Sequence, residues 1–334
     1  MSSGSRDRIG AGALTTVSDV GLIGDIGATN ARFALVQPDG KASAARVYAL
    51  SDYASLPDAI DAYLTEESPP TLPVRAVLAV ASPVTADQVT LTNHPWTFSV
   101  DALRRQFGLK RLCVINDFAA NAAAVPHLGK KDRIQIGGGG PANNAPIGII
   151  GPGTGLGVSA LVASGNGAVT IAGEGGHVTM TPATAQESAI LDLMRKRYDH
   201  VSAERLLSGP GLINLYNTSC ELAKEPAASY TADQITSAVI WKKDPRARET
   251  TSMFCAMLGT VAGNFALTFG ARGGIYIAGG IVPRIASFFA QSEFRARFEA
   301  KGRLSSYLAA IPTYLIVRPV PALLGAAALL NERQ

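Results

Sequence analysis

Two adjacent polar residues, Asn116 and Asp117, close the apolar run Leu112 to Ile115 and precede a helical pattern from Phe118 to Val125. In α/β sheets, ligands bind at the carboxyl ends of strands. A carboxylate there can take the proton of a substrate hydroxyl as that oxygen attacks phosphorus. Asp117 is equally suited to capping the helix that begins at Phe118, and the local sequence leaves both roles open. A second polar set is Glu174 and His177 in Gly173-Glu-Gly-Gly-His, with Glu204 and Arg205 in a later turn. Carboxylates, an imidazole and a carboxamide suit the vicinal hydroxyls of a sugar, because each hydroxyl both donates and accepts. His177 as a metal ligand would need partners at metal spacing. His94, His127 and His200 fall in unrelated loops.

Three glycine-rich turns complete the set. They are Gly24-Asp25-Ile26-Gly27-Ala28-Thr29, Gly151-Pro152-Gly153-Thr154-Gly155-Leu156-Gly157 and Ala278-Gly279-Gly280-Ile281. Successive backbone N–H groups in such a turn make a concave donor set for phosphate, and glycine lets a ligand come close to the backbone. Asp25 adds a carboxylate suited to Mg²⁺, directly or through water. Each turn alone can be an ordinary tight turn. The three together, with Asp25 and Asn116-Asp117, point to a nucleotide. A P-loop and the protein-kinase motifs do not occur in the sequence.

These residues need strands to hold them. Val20 to Ile23 and Ala31 to Gln37 read as strands joined by the first glycine turn, with a hairpin turn at Pro38-Asp39-Gly40. About 127 positions later the pattern recurs: a strand at 146–150, the second glycine turn, a strand at 158–163, a turn at Gly165-Asn166-Gly167 and a strand at 168–172. The spacing predicts an α/β chain with a domain-scale repeat. A Rossmann unit would place a helix after its glycine turn. Further strands are expected at 75–81, 112–115, 274–278 and 314–317. Helices are expected at 56–64, 100–107 (capped by Ser99), 118–125, 185–198, 232–241, 250–268 and 282–290. A short helix at 202–208 is expected to stop at Gly209, and a buried helix to follow Pro321.

Glycine makes up 34 of the 334 residues, about a tenth against a usual ~7%. Charged residues are 17% and the formal net charge is +4, with the basic residues scattered, so nucleic acid is not an expected partner. Cys113, Cys220 and Cys255 lack C-x-x-C spacing, which argues against a disulfide scaffold and a structural zinc, and fits a reducing cytoplasm. Residues 1–19 lack the apolar core of a secretory signal and read as a flexible N-terminal extension. No stretch reaches the ~18 apolar residues of a membrane helix, the nearest being Ala322 to Leu330.

Gly24-Asp-Ile-Gly-Ala-Thr-Asn-Ala-Arg-Phe, Leu91-Thr-Asn-His-Pro-Trp-Thr-Phe, Ile115-Asn-Asp-Phe, Gly151-Pro-Gly-Thr-Gly-Leu-Gly-Val, Gly173-Glu-Gly-Gly-His, His200-Val-Ser-Ala-Glu-Arg-Leu-Leu-Ser-Gly-Pro-Gly and Ile277-Ala-Gly-Gly-Ile-Val-Pro-Arg stand in this order. Over residues 20 to 331 the chain closely resembles the bacterial, proteobacterial-type glucokinases of the hexokinase/actin-like ATPase superfamily. The resemblance implies ATP- and Mg²⁺-dependent phosphorylation of D-glucose at its 6-hydroxyl. It also implies two ribonuclease H-like domains around a cleft, and a homodimer. The last helix would return to the first domain, giving a small domain at 20–127 plus 318–334 and a large one at 128–317. Glucose ligands would fall on Asn116, Asp117, Glu174, His177 and Glu204, with Asn93 in a loop closing over the sugar. Asp117 would be the base. Phosphate contacts would fall on Gly24, Asp25, Ile26, Gly27, Ala28, Thr29, Gly153, Thr154 and Gly155. Adenosine contacts would fall on Ala278, Gly279, Gly280 and Ile281. Ala28 departs from the family's usual glycine, which would cost of order 1 kcal/mol if that position required φ > 0; a tolerated swap is expected. The chain lacks the cysteine-rich zinc motif of the related repressor/open-reading-frame/kinase enzymes.

Alternatives differ in class. The Glu/His pocket suits glucose but leaves open a kinase for another hexose, such as mannose, or an N-acetylated aminosugar that differs at the 2-position. A sugar-sensing regulator would need an added DNA-binding module. A nicotinamide-dependent dehydrogenase conflicts with the strand–turn–strand layout.

Overall fold

The computed structural model describes residues 20–165 and 167–332. The expected extension 1–19, Asn166 of the second hairpin turn and positions 333–334 lie outside the described residues. Gly21–Ile26 (β1) and Asn30–Val36 (β2) form an antiparallel hairpin whose register sets Asp25 opposite Arg32. Arg46–Ala49 (β3) extends it antiparallel to β2, and Arg75–Val80 (β4) runs parallel to β1. Gln88–Thr90 (β5) and Thr97–Ser99 (β6) make a separate two-stranded ribbon. Arg111–Asn116 (β7) pairs in parallel with β4 and completes a sheet of order β3-β2-β1-β4-β7. Asp25 pairs with Ala79, and Asn116 with Val80. The parallel strands β1, β4 and β7 therefore deliver Asp25 and Asn116-Asp117 to one edge of the sheet.

The second sheet comprises Arg133–Gly137 (β8), Ile147–Pro152 (β9), Leu156–Ser164 (β10), Gly167–Gly173 (β11), Gly274–Ile277 (β12) and Thr313–Ile316 (β13). Its order is β11-β10-β9-β12-β13-β8. The first three form an antiparallel meander, and β12 and β13 run parallel to β9. This repeats the order and directions of the first sheet, with β8 added antiparallel at the edge. The repeat read from two glycine turns thus extends to whole sheets.

Each sheet has its own apolar core. One is built from residues such as Leu22, Phe33, Tyr63 and Leu78, the other from residues such as Ile150, Leu191, Phe254 and Phe298. The helix Asp117–Ala124 lies against β9 and β10 and is covered by the helix Pro321–Asn331, which also packs on β1 and β4. Contact there is close: a Cβ on Gly325 would overlap the carbonyl of Ala120. Arg75 Nη1 donates to Leu330 O at 3.0 Å.

Several expectations need correction. Gly24, Asp25 and Ile26 belong to β1, Gly151-Pro152 to β9 and Leu156-Gly157 to β10, so the turns proper are 27–29 and 153–155. Gly209 does not stop a helix; it begins a 15-residue one, Gly209–Ala223, capped by Ser208 with Pro210 in its first turn. Residues 232–241 form two short helices rather than one, and 282–290 begin as a 3₁₀ turn. The helix at 250–268 runs from Pro245 to Phe269 and is long and apolar enough by composition to cross a membrane. It is instead a core helix: its Gly259 and Gly263 abut the backbone of Phe294 and Phe298.

Candidate active site

Asn116, not Asp117, is the N-cap of the helix Asp117–Ala124. Its Oδ1 accepts from the Phe118 and Ala119 N–H groups at 2.9 and 3.2 Å. Asn116 Nδ2 donates to Ser82 O at 3.4 Å. Asp117 is the first helical residue, its Oδ1 accepting from Phe118 N at 2.9 Å. Burial, then the negative charge of Asp25, push its carboxyl up to about 7, with Glu174 adding in the same direction. A carboxyl titrating near neutrality is poised for proton transfer.

Asp25 reaches the same edge from β1. Its side chain is 15% exposed, and Arg32 Nη1 donates to its Oδ2 at 3.3 Å. Burial raises its pKa despite Arg32. The Asp25 carboxylate, whose contact to Arg32 is a long 3.3 Å, is a hard oxygen donor of the kind that suits a divalent ion such as Mg²⁺. Among the described residues, no cluster of three or more metal-ligating side chains occurs.

The first turn is loosely framed. Gly27 N–H donates to Asn30 O at 2.9 Å, and Thr29 lies exposed at the tip. Ala28 does not adopt positive φ, so the departure from glycine carries no backbone strain there. The second turn is boxed in. Gly153 N–H donates to Gly155 O at 2.8 Å, and Gly209 N–H donates back to Gly153 O at 2.8 Å. Leu156 N–H donates to Glu204 Oε2 at 2.8 Å, and a Cβ on Gly155 would stand 2.5 Å from that same oxygen. Glu204, predicted as a sugar ligand, thus also braces the turn predicted to bind phosphate. Its other oxygen, Oε1, lies 4.0 Å from His177 Nε2, which is 3.9 Å from Glu174 Oε2. Those gaps exceed a hydrogen bond, and a hydroxyl placed beside them can reach both partners.

The third turn abuts the second. Gly279 has φ +82°, and Gly151 has room for no Cβ because Ala278 C lies 2.6 Å from where one would be. Gly280 faces open space. Asn93 lies exposed in the turn between β5 and β6, and among the described residues no side-chain hydrogen bond joins it to Glu174, His177 or Glu204. Its neighbour Thr92 is tied to Ser82: Thr92 N–H donates to Ser82 Oγ at 2.7 Å. Arg32 and Ser82 were not among the expected site residues. Arg32 had a signal, since a short hairpin turn must place some β2 residue opposite Asp25. Ser82 had none.

A family model described as Glucokinase matches residues 22–333. A glucokinase of Paramagnetospirillum magneticum is 50% identical, the match covering 95% of this chain and 99% of that protein. Among solved structures, a glucokinase from an Antarctic psychrotroph is 38% identical with a TM-score of 0.84, covering 93% of this chain and 98% of that one. A ROK family glucokinase from Streptomyces griseus, in complex with glucose and AMPPNP, is 18% identical with a TM-score of 0.64, covering 93% and 99%, and speaks for the fold. With sheets, turns and polar edge arranged as described, the chain belongs to the glucokinase family.

Proposed function

We propose that this chain transfers the γ-phosphoryl group of ATP to the 6-hydroxyl of D-glucose, with Asp117 as the base. The observation that carries the residue assignment is the position of Asp117. Asn116 takes the capping duty, leaving the Asp117 carboxyl at the sheet edge with a pKa of about 7. In this reading the two sheets are the cores of two ribonuclease H-like domains, 20–127 plus 318–334 and 128–317, with the sugar in the cleft between them. The separate cores and the return of the last helix to the first sheet support that division.

Glucose hydroxyls are read by Glu174, His177 and Glu204, by Asn116 through its amide, and by Asn93 from the β5–β6 turn. Domain closure excludes water and limits ATP hydrolysis. Asp117 accepts the proton of the 6-hydroxyl as its oxygen attacks the γ-phosphorus and the bond to the β-phosphate oxygen breaks. The turns 27–29 and 153–155 hold phosphate oxygens through the backbone N–H groups not already engaged within the turns, as those of Gly27 and Gly153 are, and residues 278–281 take the adenosine. Asp25 would hold Mg²⁺ through water, and the ion when bound supplies positive charge against the polyphosphate. A homodimer in a cytoplasmic setting belongs to the same reading, and size measurement tests the dimer.

The decisive experiment is a panel of sugars and phosphoryl donors followed by detection of the phosphorylated product. Glucose with ATP is expected to give 6-phosphate at the highest kcat/KM. A higher value for mannose or an N-acetylated aminosugar would replace the sugar assignment.

A further inference from the structure

Ser82 is only 2% exposed, two residues beyond the end of β4 and flanked by strands that carry Asp25 and Asn116. A serine hydroxyl has one proton to give and two lone pairs to receive, and here all three are used. Ser82 Oγ donates to Ala81 O at 2.7 Å. It accepts from Thr92 N–H at 2.7 Å, and the Thr92 hydroxyl lies 3.0 Å away, where it must act as donor. The backbone carbonyl of Ser82 receives the Asn116 amide at 3.4 Å. One buried residue therefore fastens the turn that carries Asn93 to the side chain that caps the Asp117 helix.

We infer that Ser82 is a positioning residue for sugar recognition: it holds the Thr92-Asn93 turn in register with Asn116 and Asp117, so its hydroxyl sets sugar affinity without touching the reacting atoms. The inference rests on the sugar-kinase reading above and goes beyond it in assigning a residue outside the expected site. A residue important only for packing would affect both substrates, because β4 runs beside β1, which leads into the first phosphate turn. A residue that aims the Asn93 turn should affect the sugar alone.

The test compares wild type, Ser82→Ala, Ser82→Thr and Thr92→Val in steady-state assays with glucose and ATP each varied. Ser82→Ala is expected to raise the KM for glucose about tenfold, the worth of one buried hydrogen bond, with kcat and the KM for ATP within about twofold. Ser82→Thr keeps the hydroxyl and should restore most of the sugar affinity. Thr92→Val, on an exposed turn, should show the same split at smaller size, and it serves if Ser82→Ala does not fold. An unmoved glucose KM in a folded Ser82→Ala, or in Thr92→Val where Ser82→Ala does not fold, overturns the inference. A parallel rise in both KM values overturns it as well. If wild type prefers another hexose, the glucose assignment falls while the same split is read with that hexose.

Discussion

The two glycine turns sit at equivalent places in two sheets of the same strand order, yet they are built differently. The first follows a strand whose penultimate residue is a carboxylate, Asp25, and its backbone has room for side chains: a Cβ on Gly27 would meet only Asn30 O at an ordinary 3.5 Å, and Ala28 stands there without positive φ. The second follows a strand ending in Pro152 and brings no carboxylate of its own. It borrows one, Glu204, from a turn near the helix Gly209–Ala223, and Gly151, Gly155 and Gly157 are each hemmed in by other groups. Topology sets where a turn lies, while side chains at the strand ends set what it can do. In our reading one half supplies acid–base chemistry on a tolerant backbone. The other supplies a rigid cradle whose precision comes from outside its own strands.

Removing the chemistry from the first half should have the largest effect. Asp117→Ala is expected to lower kcat at least a hundredfold while the protein stays folded; turnover within tenfold of wild type would reject the assignment of the base. Next comes the rigidity of the second half. Gly155→Ala must push Glu204 aside, so it should raise the KM values for glucose and ATP together by about tenfold or more. If only one responds, sugar site and phosphate turn are not coupled through Glu204.

Since the Asp117 pKa is raised to about 7, kcat/KM for glucose should fall on the acid side with a midpoint near 7. Asp25→Asn removes a charge that raises it, so that midpoint should move lower; a midpoint that stays or rises contradicts the electrostatic account. The same shift affects stability. The folded state prefers the protonated carboxyl, so stability falls as pH rises from about 4 to about 7 and the cost is full above 7. Asp117→Asn should therefore stabilise the fold at pH 8, by at most about 4 kcal/mol and read as a higher Tm, and leave stability nearly unchanged below pH 4. Smallest of all, Gly27→Ala should keep kcat and both KM values within about threefold. A loss as severe as that of Gly155→Ala would erase the contrast between the turns.

The sequence showed the paired hairpins because glycines interrupt runs of apolar residues at matching places, and β1, β2, β9 and β10 are mostly buried, each between two neighbouring strands. It hid β3, β5, β6 and β8, which are short and partly exposed, so they carry no sustained apolar alternation. The helix Gly209–Ala223 was hidden behind Gly209-Pro210-Gly211. Glycine there reads as a stop, and only packing reveals that a Cβ on Gly211 would crowd Leu206 backbone at 2.6 Å. At Asn116-Asp117, two residues equally able to cap stood side by side, and the tertiary setting chose the first. Ser82 illustrates the limit most clearly: its partners lie ten and thirty-four positions away, beyond any local pattern.

The covering of the Asp117–Ala124 helix by Pro321–Asn331 has a consequence for biosynthesis. Arg75 meets Leu330 across 255 positions of sequence. At roughly 5–20 residues per second, a ribosome makes those positions in something over ten seconds. Through that interval the face of the first sheet bearing Ile23, Ala34 and Val77 lacks its cover. The nascent chain must hold an unfinished half while the second is made around it, and it presents a sticky surface that a chaperone can recognise. Catalytic competence would then arrive late, when the closing helix docks.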